Sequence, residues 1–305
     1  MRRPLRKHCF CRASCAKAAP HGSDVAPLDP VFESISLLAR CVTLWIGPSL
    51  GPVERACLQS VLRQGHTVAL YCYHVPEGVP GGVELREAAG ILPEADIVRH
   101  RSGSVSLFSN RFRYELQRRG LGTWVDTDIY LLKPLDGECP YLMGEEAPGV
   151  INTGVLRLPP DSPLLAPLLE IFKEKTVPRW LPLRARAAAW WRLRTRGRSG
   201  VADMPWGSAG PRALTALAQH FGLAHLAEPA EVLNPAPWQD AGWVRDPARR
   251  LEDMVTERTV AVHLWNERIK RFKNAPAPAG TFLARLQAEG AAGSRGALPQ
   301  AAAAQ

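Results

Sequence analysis

Two aspartates two residues apart, Asp126 and Asp128, close the run Gly120-Leu121-Gly122-Thr123-Trp124-Val125-Asp126-Thr127-Asp128. The apolar residues before them read as a short strand, and side chains at i and i+2 of an extended backbone share one face. Two carboxylates on one face offer hard oxygen ligands to a divalent cation such as Mn²⁺ or Mg²⁺. Such an ion holds a diphosphate and takes up the charge that grows on a leaving group. An Asp-x-Asp alone is a common pattern, usually a turn or a pair of solvated acids, so its neighbours decide its meaning. Arg113 lies upstream on an amphipathic stretch, and its planar fork of donors suits diphosphate oxygens or sugar hydroxyls. Asn110, one turn earlier, can donate and accept hydrogen bonds but cannot act as a base. Asn152 and Gly154 follow; the asparagine can satisfy loop backbone groups, and the glycine allows close approach. Late in the chain, His263 ends an apolar run, with Trp265 and Asn266 just beyond. His263 is a candidate third metal ligand or diphosphate contact, and Trp265 a candidate wall for a sugar. Each also has a plain structural reading, as a satisfied strand-end histidine and a core aromatic.

The elements that must position these residues follow an α/β pattern. Residues 42–47 read as a first strand, 52–63 as a helix with one apolar side, and 66–74 as a second strand. Strand–helix–strand at the start points to a parallel sheet. Residues 76–103 read as loop with one short helix near 84–89, then 105–118 as a helix and 123–125 as a strand. The aspartates therefore fall at the carboxyl end of a strand, where such sheets bind ligands. Further strands are expected at 141–144, 150–158 and 259–264. Helices are expected at 162–175, capped by Ser162 with Pro163 at its first position, and at 211–221. The expected organisation is a basic, unstructured segment 1–38, one domain 39–285, and a disordered Ala-rich tail 286–305.

A net charge of +9 hides two local patches. Residues 1–23 carry six basic residues and no acid; residues 175–202 carry Lys175 and seven arginines, again with no acid. What remains holds 24 basic against 29 acidic residues, so the body is mildly acidic. That argues against nucleic-acid coating and for local contact with an anionic surface. The second patch lies in a Trp/Arg-rich insert, 178–203. Within its stretch 180–198, Trp180, Leu183, Ala187, Trp190 and Trp191 share one face of a helix, and the whole suits an anionic membrane surface. A flexible lid over an acceptor is the competing reading. No run of about 18 apolar residues exists, and no signal-like apolar core follows the basic start. Seven scattered cysteines, three of them Cys9, Cys11 and Cys15, lack a partner pair spaced for zinc. The expected location is cytoplasmic, at the inner face of the membrane.

Four blocks together resemble the Asp-x-Asp glycosyltransferases of the GT-A fold. The closest resemblance is to the group of α-1,4-galactosyltransferases, α-1,4-N-acetylglucosaminyltransferases and bacterial capsular polysaccharide synthesis proteins. The blocks are 109–132, Asn152-Thr153-Gly154, Trp206-Gly207 through Gly210-Pro211, and Pro235 to Asp240 joined to Ala261 to Asn266. The resemblance implies a Rossmann-like, nucleotide-sugar-binding domain with a mixed, mainly parallel sheet. It implies transfer of a hexose or N-acetylhexosamine from a nucleotide sugar, with UDP the family default, to a glycan or lipid-linked sugar acceptor, with retention of configuration. Asp126 and Asp128 would hold the ion on the donor diphosphate, with His263 as a third ligand. Arg113, Asn110, Asn152, Gly154 and Trp265 would line the donor sugar. Asn110 stands where many relatives have Asp, which departs from the family pattern. Two other classes stay open: a non-catalytic sugar- or membrane-surface protein on a decayed transferase fold, and an Asp-nucleophile phosphatase.

Overall fold

A computed structural model describes residues 38–292. The chain opens with β1 (Arg40–Trp45), α1 (Pro52–Arg63) and β2 (Thr67–Cys72), and β1 pairs with β2 in parallel. Helix α1 spans the expected residues. Pro52 at its first turn lacks only an N–H that has no helical partner there, and Glu54 suits the positive helix end. The strands alternate cleanly. Val42, Ala69, Tyr71 and Trp124 join the core on one sheet face, while Cys41, Val68, Leu70 and Val125 join that on the other.

Strand β3 (Val83–Glu87) corrects the helix expected near 84–89: it pairs in parallel with β2, from Val68↔Val83 to Cys72↔Glu87. Helix α2 (Ser106–Arg118) then leads to β4 (Thr123–Val125), which lies parallel to β1 on its other side. β5 (Ile129–Leu131), β6 (Glu145–Ala147), β7 (Val150–Ile151) and β8 (Val155–Leu156) follow, and β8 runs antiparallel to β4. The five-stranded sheet has the order β3-β2-β1-β4-β8. The fold is thus α/β, with a mixed sheet of mainly parallel strands, consistent with a Rossmann-like arrangement. The order reverses between β1 and β4, and the carboxyl ends of strands at such a reversal are where sheets of this kind bind ligands.

The expected strand at 141–144 is replaced by isolated bridges, Leu142 to Arg157 and Gly144 to Glu228. The expected strand 150–158 is broken in two at Asn152-Thr153-Gly154. The helix expected over 162–175 shrinks to α3 (Leu165–Glu170) and a 3₁₀ turn (Ile171–Lys173), and the Ser162 hydroxyl accepts from the Leu164 N–H ahead of it. α4 (Leu183–Arg196), α5 (Pro211–His220) and α6 (Ala230–Leu233) come next, then β9 (Ala261–His263), α7 (Asn266–Ile269) and α8 (Phe282–Ala292). β9 pairs antiparallel with β5, Ile129 opposite His263.

Helix α8 overruns the tail expected from 286. Its Leu283 and Leu286 are buried with Val53, Ala56 and Cys57 of α1. Gly290 touches α1 so closely that a Cβ there would lie 1.9 Å from the Pro52 carbonyl oxygen. Leu38, expected in the unstructured start, bridges to Asp136; residues 1–37, with Cys9, Cys11 and Cys15, and 293–305 lie outside the described residues. Cys41, Cys57, Cys72 and Cys139 are buried.

Candidate metal centre

The two aspartates do not lie on extended backbone. Strand β4 ends at Val125, and Asp126-Thr127-Asp128 makes a tight turn in which the Ile129 N–H donates to the Asp126 carbonyl at 3.0 Å. The turn reverses the chain into β5, and β5 brings β9 alongside. That register sets His263 next to Asp128: the Leu264 N–H donates to the Asp128 carbonyl at 3.0 Å. One ligand atom from each of Asp126, Asp128 and His263 lies within 4.8 Å of the others. The expected trio is therefore assembled, but by a turn and a β-pair rather than by strand alternation.

Protein donors fix one oxygen of each carboxylate. Asp126 Oδ1 accepts from Arg113 Nη2 and Trp124 Nε1, both at 2.8 Å. Asp128 Oδ2 accepts from the Asn266 N–H at 2.6 Å and faces His263 Nε2 at 3.4 Å. Among the described residues the second oxygen of each has no protein donor. The histidine is fixed from behind. Asn234 Nδ2 donates to the Glu145 carbonyl at 3.0 Å, which turns Asn234 Oδ1 toward His263 Nδ1 at 3.1 Å. An acceptor at Nδ1 places a proton there and aims Nε2 at the aspartates. Metal-binding histidines are oriented by this kind of partner. Two carboxylates and one imidazole suit Mn²⁺, and in such a set Asp126, Asp128 and His263 would hold the ion.

The electrostatics are those of a site short of positive charge. Burial works to raise the Asp128 carboxyl, but His263, the Asn266 N–H and Lys273 outweigh it and hold the group at about 2. Burial also pushes the Asp126 carboxyl up; Arg113 offsets this only in part, and Asp128 adds repulsion. Burial disfavours the His263 cation, yet Asp128, Asp126 and Glu146 together raise its pKa above the ordinary 6.5. The contact of His263 Nε2 with Asp128 favours a proton on the imidazole, and a divalent cation bound there would take that proton's place.

The other expected residues divide. Arg113 is only 4% exposed and is stacked on Trp124, 4.7 Å from the ring centroid. Its terminal nitrogens go to Asp126, to the Thr153 carbonyl at 2.5 Å and to Ser109 Oγ at 3.3 Å. It therefore braces Asp126 and the 152–154 turn instead of presenting a free fork. Asn152 Oδ1 accepts from the Gly154 N–H and its Nδ2 donates to Glu146, both at 2.6 Å. Gly154 is demanded by crowding, since a Cβ there would meet Asn152 Oδ1 at 2.9 Å and His263 Cε1 at 3.2 Å. Trp265 stacks on His263 at 3.8 Å and donates Nε1–H to the Ala236 carbonyl. Its left-handed backbone, φ 59°, is a strained conformation for a tryptophan and is retained beside the site. Asn110 stands apart: its amide packs on Gly210, and no hydrogen bond joins it to either aspartate.

No protein-family model matches the chain, and no curated protein matches it. Three contributors escaped the sequence reading. Asn234 sits in a Leu-Asn-Pro loop without periodic cues, Trp124 reads as an ordinary strand aromatic, and Lys273 lies beyond the last block. Lys273 Nζ donates to Asn266 Oδ1 and to Glu54, and so steadies the residue whose N–H holds Asp128.

Proposed function

We propose that this protein is a metal-dependent glycosyltransferase of the GT-A type. It moves a hexose or N-acetylhexosamine from a nucleotide sugar, UDP-linked by family analogy, to a hydroxyl of a glycan or glycolipid. The observation that carries the reading is the convergence of Asp126, Asp128 and His263 at the reversal of a Rossmann-like sheet order. That is where nucleotides bind in such folds. A bound Mn²⁺ or Mg²⁺ would supply the charge that stabilises a departing nucleoside diphosphate.

The chain's own residues prepare the site. Arg113 and Trp124 pin Asp126, and the Asn266 N–H pins Asp128, so both carboxylates are fixed before a donor arrives. Such pre-placement avoids reorganisation during the reaction. The bond between the anomeric carbon and the diphosphate oxygen breaks. A bond from that carbon to the acceptor oxygen forms, and the acceptor proton is released. Asn152 and Trp265 are the candidate sugar contacts, Trp265 stacked on His263 and Asn152 bonded to Gly154 beside it. Retention of configuration follows from the resemblance alone. A cytoplasmic location belongs to the same proposal; among the described residues no helix is long and apolar enough to cross a membrane.

The test is thermal stabilisation by UDP with Mn²⁺, measured on the parent and on Asp128→Ala. The parent is expected to be stabilised by Mn²⁺ and further by UDP added with Mn²⁺, and the variant by neither. No shift with any nucleoside diphosphate would sink the reading. A panel of nucleotide sugars scored for metal-dependent hydrolysis would then identify the donor.

A further inference from the structure

The segment around α4 has a charge pattern unlike the rest of the molecule. Residues 175–202 hold Lys175 and seven arginines without one acid. Elsewhere arginines are commonly paired, as Arg111 is with Asp96 and Arg249 with Asp240. Among the described residues, none of these eight cations is in an ion pair. Lys175, Arg186 and Arg192 donate instead to backbone carbonyls, of Gly197, Arg179 and Ser199. Glu174 and Asp203 border the segment, but eight cations against these two acids leave it strongly positive and suited to anions from outside.

The apolar side of α4 is equally unmatched. Ala189 is its one fully buried residue. Leu183 is 74% exposed, Trp190 54% and Trp191 62%. Positions 183, 187, 190 and 191 follow the i, i+4, i+7, i+8 rule, so these side chains form one outward stripe. Trp180, expected on that stripe, turns inward and donates Nε1–H to the Ser208 carbonyl at 2.8 Å. Arg184 and Arg186 flank the stripe and Arg194 closes its C-terminal end, over a helix about 21 Å long.

We infer that the outward stripe of α4 is a docking surface for an anionic phospholipid bilayer, with Trp190, Trp191 and Leu183 entering the headgroup boundary among the arginines. Indole rings favour that boundary because it is apolar on one side and wet on the other. Arginine stems lie along apolar surface while their heads meet phosphates. Nucleic acid would satisfy the cations but leave Leu183 and the ring faces without apolar cover. The helix is formed and anchored before contact, through Ala189, the Trp180–Ser208 bond and the Arg192–Ser199 bond, so docking need not order the backbone. The same anchor leads to the proposed donor site. Ser208 adjoins Ala209 and Gly210, which contact Tyr114 and Asn110 on α2, the helix that carries Arg113. The surface stands without the transferase reading; where that reading also holds, the acceptor is an amphiphile presented at the bilayer.

The experiment is vesicle flotation of the full chain. Vesicles are phosphatidylcholine alone or phosphatidylcholine with phosphatidylglycerol. The parent should float with the anionic vesicles and not the neutral ones, and added salt should weaken it. Trp190→Ser with Trp191→Ser should cut the bound fraction at least tenfold. Leu183→Asp, at a position too exposed to affect folding, should cut it severalfold and serves if the double variant does not fold. Equal flotation of parent and variants would overturn the inference, as would no flotation of the parent. Self-association that depends on Trp190 and Trp191, without vesicle binding, would also overturn it and assign the stripe to a second copy of the chain. Stabilisation by UDP and Mn²⁺ is read without lipid, so failure here and failure of the transferase reading are distinguishable.

Discussion

Replacing Asn234 tests the metal centre at the residue that aims its histidine. Asn234 is 4% exposed, accepts from His263 Nδ1 at 3.1 Å and donates to the Glu145 carbonyl at 3.0 Å. Asn234→Leu keeps the bulk and removes both hydrogen bonds. Each leaves a buried partner unmatched, at a cost of about 1–3 kcal/mol in the metal-free protein. The more specific effect is on metal. Loss of such an orienting partner typically weakens binding about 10–100-fold. With Mn²⁺ at one hundred times the parent Kd, the parent gains about 2.7 kcal/mol of stability. A tenfold weaker variant gains about 1.4 kcal/mol and a hundredfold weaker one about 0.4 kcal/mol. The metal-dependent rise in Tm should therefore fall short of the parent's by roughly 3–9 °C at this domain size. Calorimetric titration with Mn²⁺ gives the affinity directly, and urea unfolding without metal gives the structural part. Mn²⁺ affinity within twofold of the parent, in a folded Asn234→Leu, would refute the claim that His263 is a ligand oriented from Nδ1.

Gly154→Ala should destabilise the fold by about 1–3 kcal/mol by overpacking, and should weaken Mn²⁺ as well because its methyl presses on His263 Cε1 at 3.2 Å; parent-like urea curves would contradict the crowding. Glu289 supplies a pH test. Burial works to raise its carboxyl, but Arg285, Tyr130 and Arg63 outweigh burial and hold it below the ordinary 4.5. Its contribution is thus complete above about 4.5 and fades as pH falls through its lower folded value. Glu289→Gln should therefore lower Tm at neutral pH, with the deficit shrinking in acid; a deficit constant across pH would remove the ionic role.

The parts of the fold that were legible in the sequence are those where local pattern and tertiary role agree. Helix α1 carries its start signal in Pro52 and Glu54 and its apolar face in Val53, Ala56 and Cys57. Strand β3 was misread because Val-Glu-Leu-Arg-Glu is rich in helix formers. Ladder pairing to β2 overrides that preference. Helix α8 was not expected, and the tail was set to begin inside it, because Ala-Glu-Gly-Ala-Ala looks like low complexity. Gly290 is in fact the flat spot that lets the helix lie against Pro52. At the centre, the residue types announced a metal, and Asp126, Asp128 and His263 do converge. The turn that presents them was invisible, because an i+2 spacing reads equally as strand or turn. Asn234 was invisible too, since a residue that acts through another leaves no mark on spacing or periodicity.

The seam between α1 and α8 also bears on how the chain is made. Lys273 meets Glu54 across 219 positions, and Arg63 meets Glu289 across 226. At about 5–20 residues per second, the ribosome needs roughly 11–45 s to deliver Glu289 after Arg63. During that interval the Val53, Ala56 and Cys57 face of α1 has no cover from Leu283 and Leu286. His263 is equally late, so the nascent chain holds two carboxylates without their third ligand for most of that time. Closure of the α1 face and convergence of Asp126, Asp128 and His263 therefore both wait until these later residues have been made, and until then the growing chain must be kept from aggregating through an apolar face it cannot yet close.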